Sequence, residues 1–236
     1  CGKKEIADAF AITLQCEKGA KDACLECPSC KQAITRNHPD IIYLHHEKPN
    51  TISVGEIREQ INQDVYVKPY NGNRKIYIIE DAQKMNIQAQ NALLKTIEEP
   101  PSYVVIILLT TNEEAFLPTI RSRCVSLKIK PVKTAQIEEY LEKTLSVPKD
   151  QAKICAAFAQ GNIGKAARLS ASEDFAQMRT SVVQLLKRLK EIDLYELVSA
   201  VKQITEYKLE IMDYFDIMTV WYRDVLLYKA TSDVNQ

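Results

Sequence analysis

The stretch KIYIIEDAQKMNIQAQNALLKTIEEPPSYVVIILLTT, residues 75–111, decides the fold. Its first apolar run, Ile76-Tyr77-Ile78-Ile79, has the length of a strand and ends in two carboxylates, Glu80 and Asp81. A helical pattern follows and stops at Pro100-Pro101, because proline cannot continue a helix. The next run, SYVVIILLTTN, is apolar throughout, which predicts a strand covered on both faces, as in a parallel sheet. Strand, helix and strand in that order predict an α/β layer architecture.

The flanks extend the pattern. Residues 3–15 predict a helix with Ile6, Phe10 and Leu14 on one stripe. DIIYLHH, residues 40–46, predicts a short strand. Residues 53–69 predict a helix with Ser53 as N-cap and Pro69 as stop, and CVSLKIKP, residues 124–131, a fourth strand. After Pro131 the strand pattern ends. Three short helices are expected over 133–145, 149–160 and 162–171, then longer amphipathic ones over 174–192, 195–207 and 208–230. Boundaries near 131 and 172 divide the chain into 1–131, 132–172 and 173–236.

The bulk numbers suit such a division. The 236 residues are 46% hydrophobic and 26% charged, an ordinary globular composition. Lys plus Arg and Asp plus Glu both number 31, so the formal net charge is zero. Phosphate neutralisation drives nucleic-acid affinity, so net charge gives no support to DNA binding by the chain alone. No apolar run approaches the roughly 18 residues of a membrane span. No secretory signal is visible, and the opening Cys1-Gly2-Lys3-Lys4 creates the expectation that residues precede it. Scattered single cysteines fit a reducing, cytoplasmic setting better than a disulfide framework.

Two motifs carry chemistry. Cys16, Cys24, Cys27 and Cys30 stand at spacings of seven, two and two residues. Overlapping C-x2-C pairs let thiolates converge on one ion, and four soft ligands make a closed tetrahedral zinc site with a structural role. Gly2-Lys3-Lys4 at the head of a helix matches the end of a phosphate loop, G-x4-G-K-[ST], except that Lys4 stands where a hydroxyl should reach magnesium. Glu80 and Asp81 lie at the C-terminal end of a strand, where α/β sheets place ligands. Nucleotide hydrolases usually carry such a pair as Asp then Glu.

IYIIEDAQKMNIQAQNALLKTIEEPPSYVVIILLTTNEEAFLPTIRSRC, with the cysteine module, His38-Pro39-Asp40 and GNIGKAARL, closely resembles the AAA+ clamp-loader family over residues 1 to about 170. The resemblance implies a P-loop-type parallel-sheet domain with a zinc module, a small helical lid and a truncated helical collar. It makes Lys3 the Walker A lysine, with Gly2 and Lys4 beside it. Glu80 and Asp81 become the Walker B pair and Thr111 the sensor-1 residue. Ser122-Arg123-Cys124 would supply an arginine finger to a neighbouring subunit, and Lys165 occupies the sensor-2 position.

Three departures from the family pattern imply a site that does not hydrolyse ATP. Lys4 replaces Ser or Thr, the acid order at 80 and 81 is reversed, and Lys165 replaces a forked guanidinium with a point charge. Catalytic groups misplaced by about 1 Å lose on the order of 100-fold in rate. The implied role is a non-hydrolysing loader subunit. Its partners would be a motor ATPase, a clamp-opening wrench subunit and, through the complex, the sliding clamp and primed DNA, with no membrane. An active motor ATPase would need Ser or Thr at 4, Asp-Glu at 80–81 and Arg at 165. An unrelated zinc-dependent nucleic-acid module would need a basic face and stacking aromatics, which are only 7% of residues, with Trp221 the lone Trp.

Overall fold

The computed structural model describes residues 2–19, 21–189, 192–205 and 211–231. Cys1 and parts of the helices expected over 174–192, 195–207 and 208–230 lie outside the described residues. The contacts divide the chain into an α/β unit, Gly2–Ile129, and a helical unit that begins at Lys130.

Three parallel strands form the sheet of the first unit: β1 (Ile41–Tyr43), β2 (Lys75–Ile79) and β3 (Val104–Leu108), in the order β1-β2-β3. Ile76 pairs with Ile41 on one side and Val105 on the other. All five residues of β2 are buried. Tyr77 and Ile79 face one core, with Ile52, Ile57, Leu93 and Ile120. Ile76 and Ile78 face another, with Ala11, Ala33 and Ile41. Helices α1 (Lys3–Leu14) and α2 (Pro28–Ile34) carry Ala11 and Ala33. The other face is covered by α3 (Val54–Ile57), the π-turn Arg58–Asn62 and α4 (Ile87–Glu98). A capping box between Ser53 and Glu56 starts α3, and Asn86 caps α4.

Four expectations fail. The stripe Ile6–Phe10 does not face the core: both are about half exposed, while Ala7 and Ala11 are buried. Small side chains bring α1 close to the sheet, and periodicity alone does not say which stripe turns inward. The helix after Ser53 becomes a π-turn and ends at Asn62, before Pro69. β3 is half-buried along its length, and it is one of the two edge strands of the three-stranded sheet. Residues 124–131 form no strand; Val125 is 90% and Leu127 82% exposed. A strand needs a ladder partner as well as alternation, and this segment has none among the described residues.

In the helical unit, α6 (Thr134–Leu145), α7 (Lys149–Ala159), α8 (Ile163–Ser170), α9 (Glu173–Arg188), α10 (Leu194–Thr205) and α11 (Ile211–Thr231) follow the short α5 (Pro118–Arg121) of the first unit. A continuous buried cluster runs from Ile137 through Phe158, Phe175 and Met178 to Val220. Phe158 and Phe175 meet edge to face at 5.6 Å, joining α7 to α9. Gly161 turns the chain at φ 84°, and a Cβ there would lie 2.4 Å from Pro131 Cβ, so the α7–α8 turn requires glycine.

Two buried charges fix the approach to β2. Lys75 is 4% exposed, and its ammonium donates to the carbonyls of Asp64 and Val67 at 2.9 and 3.2 Å and pairs with Asp64 Oδ1 at 2.7 Å. Asp40 is 2% exposed, and its carboxylate accepts the N–H groups of Tyr70, Asn71 and Gly72 at 2.6–3.0 Å. Together they hold the turn that feeds the strand. Lys75→Ala removes three charge-assisted contacts, and a loss of about 2–3 kcal/mol in unfolding free energy is expected. Urea denaturation measures it, with Lys128→Ala on the surface as a control that changes stability by less than about 0.5 kcal/mol.

Candidate functional site

Glu80 and Asp81 leave the C-terminal end of β2 in different directions. Glu80 is half-buried, and the Lys4 ammonium lies against it at 2.6 Å from Oε1 and 2.8 Å from Oε2. Asp81 sits in the left-handed region at φ 48° and begins the 3-10 turn Ala82–Lys84. Its carboxylate turns back onto Lys84 Nζ at 2.9 Å and Gln83 Nε2 at 3.4 Å. The Lys84 hydrogen bond holds the Asp81 carboxyl below the usual carboxylate range.

Several expected site residues do come together here. β2 and β3 run side by side past their last residues, with the Leu109 N–H on the Ile79 carbonyl and the Ala82 N–H on the Leu109 carbonyl. Thr111 follows, and its N–H reaches Gln83 Oε1 at 3.4 Å. Gly2, at φ 64°, caps α1, whose first turn carries Lys3 and Lys4. Residues 2–4, 80–81 and 111 thus surround one end of the sheet. The residues do not fit a divalent cation, since each carboxylate already faces an ammonium.

Arg123 follows α5 and is exposed. Its guanidinium donates to the Thr119 carbonyl at 3.1 Å and to Ser122 Oγ at 3.3 Å, and pairs with Glu98 Oε1 at 3.1 Å. Cys124 beside it is exposed. The buried Gln90 of α4 positions this segment. Its amide donates to the Met85 and Ala115 carbonyls, both at 3.1 Å, and accepts the Leu117 N–H at 2.8 Å. Sequence reading missed Gln90 and Glu98. A polar residue at a core position of an amphipathic helix was the available signal for Gln90.

Lys165 belongs to the helical unit. Its ammonium contacts Asp216 and lies 3.3 Å from Asp213 Oδ1, and Arg168 bridges both Asp213 oxygens at 3.2 Å. Asp213 is 2% exposed, so its charge depends on these partners. The acids of α11 lie far along the chain from Lys165, and nothing in the local sequence announces the pairing.

The four cysteines converge at the end of α1. Cys16 follows that helix, Cys27 caps α2 and Cys30 lies in its first turn. Their sulfurs lie within 4.8 Å of one another, with Cys24 and Cys30 at 4.0 Å. A zinc ion with Zn–S bonds of about 2.3 Å separates its sulfurs by about 3.8 Å, so small movements would seat one. Backbone N–H groups of Cys24, Cys27 and Cys30 donate to the sulfurs of Cys16, Cys24 and Cys27, each at 3.4 Å. Backbone donors from Glu26 and Cys27 lower the Cys24 thiol to about 6, while burial raises Cys30 to about 12. Four soft donors with N–H support fit a metal ion that binds thiolates. The module is tied to the sheet through Ser29, whose hydroxyl donates to the Gln15 carbonyl at 2.6 Å and lies 3.0 Å from His38 Nε2. Burial lowers the pKa of His38, favouring the neutral ring.

The profile of a family described as DNA polymerase III, delta subunit, matches residues 1–133. The DNA polymerase III subunit delta' of Bacillus subtilis is 32% identical over 80% of this chain and 56% of its own length. That of Pseudomonas aeruginosa is 30% identical over 98% of this chain and 70% of its own length. The DNA polymerase III subunit tau of Bacillus subtilis is 29% identical over 97% of this chain and 44% of its own length. The chain therefore spans between 44% and 70% of the length of these relatives. With the profile covering more than half of its residues, the chain belongs to the DNA polymerase III delta-subunit family of AAA+ clamp-loader proteins.

Proposed function

We propose that this chain is part of a non-hydrolysing, delta-prime-type subunit of the bacterial DNA polymerase III clamp loader. In this reading it helps seat the sliding clamp on primed DNA during replication in the cytoplasm. It packs beside the motor ATPase subunits and a delta-type wrench, and contributes to a DNA-directed DNA polymerase holoenzyme without ATPase activity of its own. Residues 1–131 act as the nucleotide-binding-like domain, 132–172 as the lid and 173–236 as part of the collar.

The observation that carries this reading is the Lys4–Glu80 ion pair. Hydrolysis needs a carboxylate free to organise magnesium or water, and Glu80 is committed to an ammonium. Engagement of Lys165 by Asp213 and Asp216 supports it in the helical unit. Arg123 is the residue that acts, in trans: a guanidinium aimed at a neighbour's γ-phosphoryl group stabilises charge that develops in the transition state. Its position on the surface after α5 suits that role, and its Glu98 partner is exposed enough to be exchanged. The similarity to tau favours one other reading, an active motor ATPase; Lys4, Glu80-Asp81 and Lys165 count against it.

Cys16, Cys24, Cys27 and Cys30 would hold one structural zinc with no water ligand. The ion would supply folding free energy to the module between α1 and α2. Elemental analysis of the purified chain is expected to give about one zinc per molecule. Cys30→Ser should lower that content and Cys124→Ser should not. Absence of zinc with all four thiols freely titratable would remove the proposal.

The whole subunit is expected to hydrolyse no ATP above background, and Asp81→Asn should change nothing. In the reconstituted loader, Arg123→Ala should leave assembly intact. DNA- and clamp-stimulated hydrolysis at the adjacent site should fall by roughly 10³-fold or more, within the range of fingers supplied by a partner. Turnover by the isolated subunit that Asp81→Asn abolishes would favour the motor reading. A loader with Arg123→Ala that hydrolyses at the wild-type rate would remove the finger.

A further inference from the structure

We infer that Lys4 is a built-in substitute for a divalent cation: its ammonium closes the Glu80 site to metal by charge, while the carboxylates themselves remain. The inference rests on reading residues 2–4 and 80–81 as the remnant of a nucleotide site.

The Lys4 ammonium contacts both Glu80 oxygens, at 2.6 and 2.8 Å. A bidentate contact of that kind compensates the carboxylate as a bound cation would. Magnesium or manganese would need a Glu80 oxygen at about 2.0–2.2 Å. An ion at that distance would sit within a few ångströms of a like charge, in a half-buried setting where bulk water does not fully screen the two. Asp81 is itself engaged, its carboxylate accepting from Lys84 at 2.9 Å and from Gln83 at 3.4 Å. Asp8 of α1 is likewise committed, to Arg36 at 2.7 Å and to the Tyr43 hydroxyl at 2.9 Å. Glu80, Asp81 and Asp8 thus each have an internal cationic partner.

A tethered cation differs from a bound one in a functional respect. It cannot leave, and its occupancy does not vary with magnesium or nucleotide concentration. The contact joins the first turn of α1 to the end of β2, so the relation of helix to sheet stays constant through any cycle that alters the nucleotide state of neighbours.

Substitution of Lys4 tests this on the zinc-loaded full chain, without nucleotide or partner subunits. The probe is Mn²⁺, which prefers oxygen ligands to the thiolates of the cysteine centre. Paramagnetic broadening of assigned amide signals is read during titration. Wild-type protein should show no localised broadening around 79–82 up to about 1 mM Mn²⁺, and Lys4→Ser should show it with at least about tenfold higher affinity. Lys4→Arg should stay closed, since the charge is kept. Lys4→Ser combined with Glu80→Gln should lose the gain. The spread of amide signals in the same spectra reports whether each variant is folded. Equal Mn²⁺ binding by wild type and Lys4→Ser overturns the inference, and so does an absence of binding in folded Lys4→Ser. A chain that fails this test can still lack ATPase activity, so its outcome is distinct from that of the functional proposal.

Discussion

Complete enclosure of β2 is the constraint on which the rest depends. Neighbouring strands flank its two edges and helices cover its two faces, so none of its five residues reaches water. Such a strand is stabilised by apolar burial along its length, at about 25 cal/mol per Å², but the chain must enter and leave it through polar groups. At the entrance Lys75 is buried and needs acceptors, which the Asp64–Val67 turn supplies. At the exit Glu80 emerges half-buried, and Lys4 meets it. Charged groups thus meet the chain at both ends of this strand.

Helix α1 links that exit to the cysteine centre. Twelve helical residues span about 18 Å, with Lys4 at the first turn and Cys16 just beyond the last. The helix is held to the sheet by Ala7 and Ala11, whose small side chains allow close approach. Gln15, buried at its end, donates to the Arg74 carbonyl at 2.7 Å beside the start of β2. The cysteine module thus holds one end of the rod that carries Lys4. Loosening it would reach the far end of the sheet through a rigid element.

Much of this was legible from residue pattern. The apolar runs over 41–43, 76–79 and 104–108 specified strands, and their alternation with helical patterns specified the α/β layer. The 7-2-2 cysteine spacing specified convergence, since local turns close those distances whatever the rest of the chain does. Illegible were the features set by what lies opposite. Residues 124–131 alternate like a strand but find no ladder partner. Ile6 and Phe10 share a stripe, yet the neighbouring alanine stripe faces the sheet. Pairing of Lys4 with Glu80 joins residues 76 positions apart, and Lys165 with Asp216 joins residues 51 apart. Substitution of Lys for a hydroxyl residue signals a lost ligand; only the folded chain shows the gained partner.

Three cations at positions to which the resemblance gives nucleotide-site roles, Lys4 in place of the magnesium-binding hydroxyl, Lys165 and Arg123, pair with the chain's own acids, but the pairs differ in how readily they can be exchanged. Asp213 is almost wholly buried and shared by Lys165 and Arg168. Releasing Lys165 would weaken the compensation of a charge that water cannot reach, and breaking such a pair is strongly unfavourable. Lys4 and Glu80 are about two-fifths exposed and in bidentate contact, an intermediate case. Arg123 and Glu98 are exposed to a similar degree but meet through a single 3.1 Å contact. A pair of that kind is worth about 0–1 kcal/mol, which a phosphate offering fork geometry to the guanidinium would readily exceed. Burial and geometry therefore rank the cations from held to exchangeable. Arg123, the residue proposed to act on another subunit, is at the exchangeable end, and Lys4 and Lys165, each within its own unit, are held more firmly.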